Sequence, residues 1–258
     1  MKLIDTHTHI YLEAFDSDQK EVMDRAIASG VEHFFIPSIN SNYVERMYTL
    51  EKNYPDKIHL MAGLHPCYVK ENMKDELDKV LFQLEERSFC AIGEIGIDLF
   101  WDKTFLKFQQ EAFSQQIEWA KNFGLPIVIH CRDAFDEVFE VLDQQKSPEL
   151  NGIFHCFTGD LKQAKRAIDL NLKLGIGGVI TYKNGKIDKF LNELPLKSIV
   201  LETDSPYLSP KPYRGKRNES SHLTLILNKV AECYQIPVNK VAAITTQNAV
   251  DTFKIEKI

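Results

Sequence analysis

Leu3-Ile4-Asp5-Thr6-His7-Thr8-His9 stands near the start of the chain, an apolar run followed by two histidines one residue apart. In an extended segment alternate side chains share a face, so His7 and His9 would point to the same place. A His-x-His pair alone is weak support for a metal site, because such pairs are also common on exposed strands and loops. A metal site is therefore predicted only if other apolar runs in the chain are also followed by candidate ligands.

The same pattern of an apolar run followed by a polar side chain recurs along the sequence. Short apolar runs bounded by polar residues are typical of buried β-strands. The side chains that follow them are Glu94, His130, His155 and Asp204. Their recurrence at one position of a repeating unit predicts that they meet at one site.

Eight extended apolar runs alternate with helical patterns, in which apolar residues lie three or four positions apart, as at Leu77, Val80, Leu81 and Leu84. The runs lie near residues 2–5, 33–36, 58–62, 89–92, 126–129, 151–154, 173–176 and 198–201. Eight strand–helix units without a Pro/Gly/Ser linker predict an α/β fold, a single (β/α)8 TIM barrel that spans residues 1–258 as one domain. The helices are expected to form an outer layer.

A barrel of this kind assembles its site where strands end and βα loops begin. The candidate ligands would then comprise four imidazoles and two carboxylates, which is more than one tetrahedral zinc ion with an open position needs. Two divalent ions that share a carboxylate suit this set better. Mixed histidine and carboxylate ligation fits Zn, Mn or Mg, and the sequence does not choose between them.

Composition limits the class of protein. The 258 residues are 44% hydrophobic and 26% charged, with a net charge of −6, which suits a globular chain and is unlike a typical duplex-DNA binder. The five cysteines form no Cys-x-x-Cys pair, which favours free thiols in a reducing compartment. No apolar run is long enough for a membrane span, and no leader precedes the first motif. We therefore expect a cytoplasmic protein without a membrane association, and no protein partner is implied.

Six motifs together resemble the TatD family across essentially the whole chain. They are Ile4-Asp5-Thr6-His7-Thr8-His9, Gly63-Leu64-His65-Pro66, Gly93-Glu94-Ile95-Gly96-Ile97-Asp98, His130-Cys131-Arg132-Asp133-Ala134, His155-Cys156-Phe157-Thr158-Gly159 and Glu202-Thr203-Asp204-Ser205-Pro206-Tyr207-Leu208. TatD proteins are metal-dependent barrel hydrolases, usually described as deoxyribonucleases that act on DNA ends. The chain departs from the usual family pattern at Cys67, Leu99 and Ser220, none of which is a candidate ligand.

The resemblance implies a role for each ligand. His7, His9 and Asp204 would hold one ion, His130 and His155 would hold the other, and Glu94 would bridge them. Within this frame we expect hydrolysis of a phosphodiester bond at a DNA end, single-stranded or frayed, by a water that the two ions activate. The catalytic residues would be Asp204 as ligand and base, Glu94, and His65 as a polarising or water-positioning group.

Other interpretations of the sequence remain open. His65 could instead be a structural capping histidine, and Asp5 could either orient an imidazole or make a purely structural bond. A metal-dependent ester or amide hydrolase, such as a D-aminoacyl-tRNA deacylase, is the alternative enzyme. A metal-binding scaffold without turnover is a third hypothesis, which the complete ligand set disfavours.

A basic loop after the last strand carries the candidate substrate contacts. Arg214 and Lys216 lie in Ser209–Asn218, which holds four basic residues and an aromatic one, and would grip a phosphate. Arg132, two residues after the candidate ligand His130, would either meet a phosphate or form a salt bridge with Asp133 or Asp136. The alternative for the loop is a merely solvated basic segment.

Overall fold

Eight parallel strands, hydrogen-bonded to one another in chain order, form the inner layer of the structure. The computed structural model describes residues 1–255, so the last three residues of the predicted domain lie outside the described part. The strands are β1 Leu3–Asp5, β2 Val31–Ile36, β3 Ile58–Ala62, β4 Ala91–Asp98, β5 Ile127–Arg132, β6 Gly152–Phe154, β7 Leu172–Ile176 and β8 Ile199–Leu201. The predicted barrel is confirmed.

Hydrogen bonds across the seam between β8 and β1 bring the two ends of the sheet together. The Thr6 amide donates to the Leu201 carbonyl at 3.1 Å, and the amide of Asp204 donates to the carbonyl of His7 at 2.9 Å. The Asp5 carboxylate accepts from the amide and the hydroxyl of Thr203, at 2.9 and 2.6 Å. Asp5 therefore has the structural role, and the predicted proximity of His7 and Asp204 is confirmed.

Eight α-helices accompany the strands. They are α1 Gln19–Ala28, α2 Val44–Asn53, α3 Met73–Glu86, α4 Leu106–Phe123, α5 Phe135–Gln144, α6 Leu161–Asp169, α7 Leu223–Tyr234 and α8 Val238–Phe253. Of the predicted apolar positions in α3, Leu77, Val80 and Leu84 are buried, and Leu81 is partly buried against the same core. A capping box between Asp160 and Gln163 satisfies backbone donors at the start of α6. Among residues 1–255, none of the helices has the length and apolar character to span a membrane.

The connection between β7 and β8 differs from the predicted repeating unit. Four short 3-10 turns occupy it, at Gly178–Thr181, Ile187–Lys189, Leu191–Glu193 and Leu196–Ser198. Glycine destabilises a helix and proline interrupts its hydrogen bonds. Gly177-Gly178, Gly185 and Pro195 therefore break this segment into turns. The prediction of eight successive strand–helix units is wrong at the seventh, and two helices follow β8.

The last helix closes one end of the barrel. A separate cluster of buried apolar side chains joins strand residues to Ala249, Val250 and Phe253 of α8. The Phe253 ring stacks on Phe35 of β2, with centroids 3.8 Å apart. The expectation that every helix belongs to the outer layer is therefore incomplete, because α8 also covers the barrel interior. The opposite end of the barrel, at the carboxyl ends of the strands, is lined by polar side chains.

Candidate active site

The two middle strands continue past the residues that were expected to end them. Glu94 lies within β4 and His130 within β5, so the expectation that each candidate ligand follows its strand is wrong for these two. Gly96 makes the longer pairing possible: it lies opposite His130 at a φ of 137°, and a Cβ atom there would overlap the His130 carbonyl oxygen. The sequence pattern located the candidate ligands but underestimated the lengths of these two strands.

One side of the cluster is built from β1 and the loop after β8. Nε2 of His7 lies 3.2 Å from Nε2 of His9 and 3.1 Å from Oε2 of Glu94. Oδ1 of Asp204 lies 3.6 Å from Nε2 of His9. All four side chains are buried, although they are spread over almost 200 positions of sequence.

The other oxygen of Glu94 faces a second set of imidazoles. Oε1 of Glu94 lies 2.8 Å from Nδ1 of His130, 3.4 Å from Nε2 of His65 and 3.8 Å from Nε2 of His155. His155 also faces the first set, with Nε2 at 3.7 Å from Oδ1 of Asp204. The carboxylate of Glu94 thus stands between two groups of nitrogen atoms, one on each oxygen.

A tyrosine that the sequence analysis missed orients His9. The Tyr11 hydroxyl donates to the Pro37 carbonyl at 2.9 Å and lies 3.0 Å from Nδ1 of His9. Because its one proton is used on Pro37, the hydroxyl accepts from His9, which leaves the Nε2 lone pair of His9 free to face the cluster. The alternating spacing His7, His9, Tyr11 was the available signal.

Two further carboxylates, also missed, hold the remaining imidazoles. Oδ2 of Asp98 lies 2.8 Å from Nε2 of His130, and Oε1 of Glu202 lies 2.9 Å from Nδ1 of His155. Gly175 of β7 leaves the space for Glu202, since a Cβ atom there would overlap the carboxylate. Asp98 lies four residues after Glu94 and Glu202 lies two residues before Asp204, both in motifs noted above. Only the fold shows which imidazole each carboxylate contacts.

His65 combines the two roles between which the sequence left a choice. Its Nδ1 accepts from the Cys67 amide at 3.0 Å and caps the turn Pro66–Tyr68. The neutral ring then carries its proton on Nε2, the atom that faces Glu94 and lies 3.3 Å from Nδ1 of His130. His65 therefore lines the cluster as a hydrogen-bond donor.

The electrostatics of the cluster stabilise positive charge. Burial opposes ionisation of Glu94, but the surrounding histidines, foremost His65 and His7, hold its pKa well below its usual range. Burial and the neighbouring His155 lower the pKa of His7 to about 4. For His155 burial acts the same way, yet Glu202 and Glu94 outweigh it and raise its pKa to about 10. The carboxylates thus favour a cation at the centre, and an ion bound there competes with protons.

The donor set fits divalent ions. Ligand atoms about 2.1 Å from a common tetrahedral ion lie about 3.4 Å apart, and the separations among His7, His9, Glu94 and Asp204 run from 3.1 to 3.9 Å. Within residues 1–255, three groups each bring their ligand atoms within 4.8 Å of one another. They are His7, His155 and Asp204; His7, His9 and Glu94; and His65, Glu94 and His130, in which His65 presents a protonated nitrogen rather than a free lone pair.

The predicted substrate contacts Arg132, Arg214 and Lys216 have different surroundings. The guanidinium of Arg132 stacks on the Phe100 ring, with Cζ 3.7 Å from the centroid, rather than pairing with Asp133 or Asp136. Arg214 stacks on Tyr182 at 4.1 Å. Burial raises the pKa of the Tyr182 hydroxyl, Arg214 lowers it and the charge of Asp204 raises it. The Tyr182 hydroxyl thus lies within electrostatic range of both charges.

The rest of the basic loop is divided between two surroundings. Lys216 lines a separate surface cavity of about 550 Å³ together with Arg25 and Arg217. Arg217 is held by ion pairs to Asp18 and Glu219, at 2.6 and 3.0 Å. The charge of Arg217 is therefore neutralised by acidic neighbours. Arg214 forms no salt bridge within residues 1–255, so it is the better candidate for a contact with a phosphate.

A (β/α)8 barrel with histidines and carboxylates gathered at the carboxyl ends of its strands defines the class of metal-dependent barrel hydrolases. A family model described as TatD related DNase matches residues 4–254. The chain belongs to this family, and is a metal-dependent hydrolase.

Named relatives agree with this assignment. An uncharacterized metal-dependent hydrolase of Bacillus subtilis, YabD, is 36% identical over 254 residues, which cover 98% of this chain and 99% of that one. Its counterpart YjjV of Escherichia coli is 30% identical over 98% of both chains. The crystal structure of YjjV, described as a TatD homolog, superimposes with a TM-score of 0.92 at 30% identity and covers 98% of each chain.

Proposed function

We propose that this chain hydrolyses phosphodiester bonds at DNA ends, in single strands or frayed duplexes, with the help of two divalent ions. The observation that carries the proposal is the position of Glu94. One of its oxygens faces the imidazoles of His7 and His9 and the other faces that of His130, at 3.1, 3.6 and 2.8 Å. A carboxylate shared in this way is the arrangement that a two-metal hydrolase needs.

The ligand groups follow the family resemblance. His7, His9 and Asp204 would hold one ion, His130 and His155 the other, and Glu94 both. When bound, such ions supply Lewis-acid chemistry and lower the pKa of a water toward neutrality. Side chains of the protein would move protons and stabilise charge around the phosphate.

Protons and charge are handled by three side chains in this proposal. Asp204, whose carboxylate is held ionised by the neighbouring histidines, accepts or orients the proton of the attacking water. His65 presents an N–H to the same space, where it can donate to a phosphate oxygen. Arg214 at the rim offsets negative charge that grows on the phosphate during the reaction.

The choice of DNA rests on local features. The net charge of −6 opposes a long polyanion, but fields fade over roughly 8 Å at physiological salt, so the rim residues dominate at the cluster. Arg132 and Arg214 each lie flat on an aromatic ring there. A footprint this small suits a strand end better than a duplex. Membership of the TatD related DNase family points the same way.

An assay of the metal-loaded protein on three substrates tests the proposal. End-labelled single-stranded DNA should be shortened from an end, while an aminoacyl-tRNA ester and simple amides should be cleaved poorly. The negative charge of the chain keeps the carbonyl hydrolase as the alternative, and it would be favoured if the ester is cleaved and the DNA is left intact. Turnover of none of the three would favour a binding role.

A further inference from the structure

Exposed aromatic side chains concentrate at the end of the barrel that holds the cluster. Several of the large apolar residues that are exposed within residues 1–255 lie in loops that follow β3, β4 and β8. These are Tyr68, Phe100, Trp101, Tyr207, Leu208 and Tyr213. Exposed apolar side chains scattered singly are normal, but a group around one opening marks a binding surface.

Phe100 and Trp101 are neighbours in the loop after β4, and their exposed rings contact each other. They leave 50% and 72% of their surfaces in water and meet edge to face, with centroids 4.9 Å apart. The guanidinium of Arg132 lies 3.7 Å from the Phe100 centroid and 5.5 Å from that of Trp101. Within the described part of the chain Arg132 forms no salt bridge, so its charge is available to an anion beside the rings.

The position of this aromatic pair is fixed by the metal cluster itself. Oδ1 of Asp98 accepts from the amides of Phe100 and Trp101, at 3.0 and 3.3 Å. The other oxygen of Asp98 holds His130. One carboxylate thus sets both the orientation of a candidate ligand and the backbone that carries the two rings. If one group of a substrate binds at the cluster, the adjoining group of that substrate would therefore lie beside these rings.

We propose that Phe100 and Trp101, with Arg132, form a stacking platform for an unpaired nucleobase next to the phosphodiester that is cleaved. The inference rests on the proposed function. Every base offers a π-face to an aromatic ring, and a guanidinium beside that face can contact the adjoining phosphate. The platform would select single-stranded ends, because a base that is paired within a duplex cannot lie flat on it.

An abasic oligonucleotide tests the platform directly. Two single-stranded DNA oligonucleotides are compared, one intact and one that lacks the base next to the cleaved bond. Wild-type protein should show a KM about 5- to 150-fold lower for the intact strand, which is the range for one stacked base. Trp101→Ala should lose most of this preference with kcat little changed, and Trp101→Phe should keep most of it.

A matched control and a second readout separate stacking from a general effect. Phe82 of α3 is 63% exposed, and Phe82→Ala should leave the preference intact. Trp119, the other tryptophan, is 8% exposed, so quenching of tryptophan fluorescence by a non-hydrolysable oligonucleotide should come from Trp101 and vanish in Trp101→Phe.

The outcomes distinguish this inference from the proposed function. If wild type cleaves DNA but Trp101→Ala keeps the full preference for the intact strand, the platform is wrong and the nuclease stands. If the metal-loaded wild type neither binds nor cleaves any oligonucleotide, both are wrong. Quenching by a protein extract but not by DNA would also overturn the platform.

Discussion

Asp204 meets three imidazoles at once. Its Oδ1 lies 3.6 Å from Nε2 of His9, 3.7 Å from that of His155 and 3.9 Å from that of His7. Burial would raise the pKa of this carboxyl, but the neighbouring His9 and the charges of His155 and His7 hold it below its usual value. Asp204 therefore stays a carboxylate that can accept a proton.

Replacement of this carboxylate should separate chemistry from folding. Asp204→Asn is expected to keep its circular dichroism spectrum while kcat falls at least about a hundredfold, the size of a general-base contribution. Asp133→Asn, at an exposed position after β5, is the control. A kcat near that of wild type would assign proton acceptance to another group.

Glu202 acts on the cluster through His155. It is fully buried, accepts from the Cys156 amide at 2.6 Å and faces Nδ1 of His155. Glu202→Gln should weaken metal binding about 10- to 100-fold, measured by competition with a chelator of known affinity. Gly175→Ala, which crowds the same carboxylate, should weaken it in the same direction. Unchanged affinity in both variants would contradict this role, and a lowered melting temperature beside it would leave Glu202 a purely structural one.

At the scale of the elements, the loop after β8 divides its cations between two tasks. Arg214 is free of acidic partners within the described residues, whereas Arg217 pairs with Asp18 and Glu219. Arg214→Ala should flatten the log–log salt dependence of DNA binding by about 0.7 to 0.9 units, measured by fluorescence anisotropy. Arg217→Ala should lower the melting temperature, with a cost of about 1 kcal/mol, and leave that slope unchanged. Equal slopes in wild type and both variants would make the loop a solvated segment.

Strands and ligands were predictable because they repeat. Apolar runs recur along the chain, and His130 and His155 each stand directly after one of them. The contacts of Asp98 and Glu202 were not predictable, since they depend on which ring nitrogen each carboxylate meets after the strands are paired. The turns between β7 and β8 were missed because that segment has no periodic pattern to read.

At the scale of the whole molecule, a histidine pair far from the cluster couples stability to pH. Nδ1 of His33 lies 2.8 Å from Nε2 of His59, at the strand ends remote from the cluster. Burial, with the neighbouring His33, lowers the pKa of His59 to about 4. Between pH 6.5 and 4 the unfolded chain binds a proton that the folded one does not, so stability falls as pH decreases, by at most about 3 kcal/mol.

Denaturant unfolding across this pH range measures the coupling. His59→Gln should lose less stability than wild type between pH 6.5 and 4.5, because the glutamine does not titrate. Lys57→Gln, which removes a nearby charge that lowers the pKa of His33, should change the pH slope only slightly. Parallel pH profiles for wild type and His59→Gln would show that the pair carries no such coupling.

We propose that Glu94 joins two metal subsites, and the number of ions bound per chain is the most direct test of this proposal. Metal-free protein is titrated with Mn(II), the bound ions are counted by elemental analysis after gel filtration, and activity on single-stranded DNA is measured at each step. We expect two ions per chain, activity that returns only as both sites fill, and loss of both ions and activity in Glu94→Gln. A single bound ion at full activity, or full activity in metal-free protein, would contradict it.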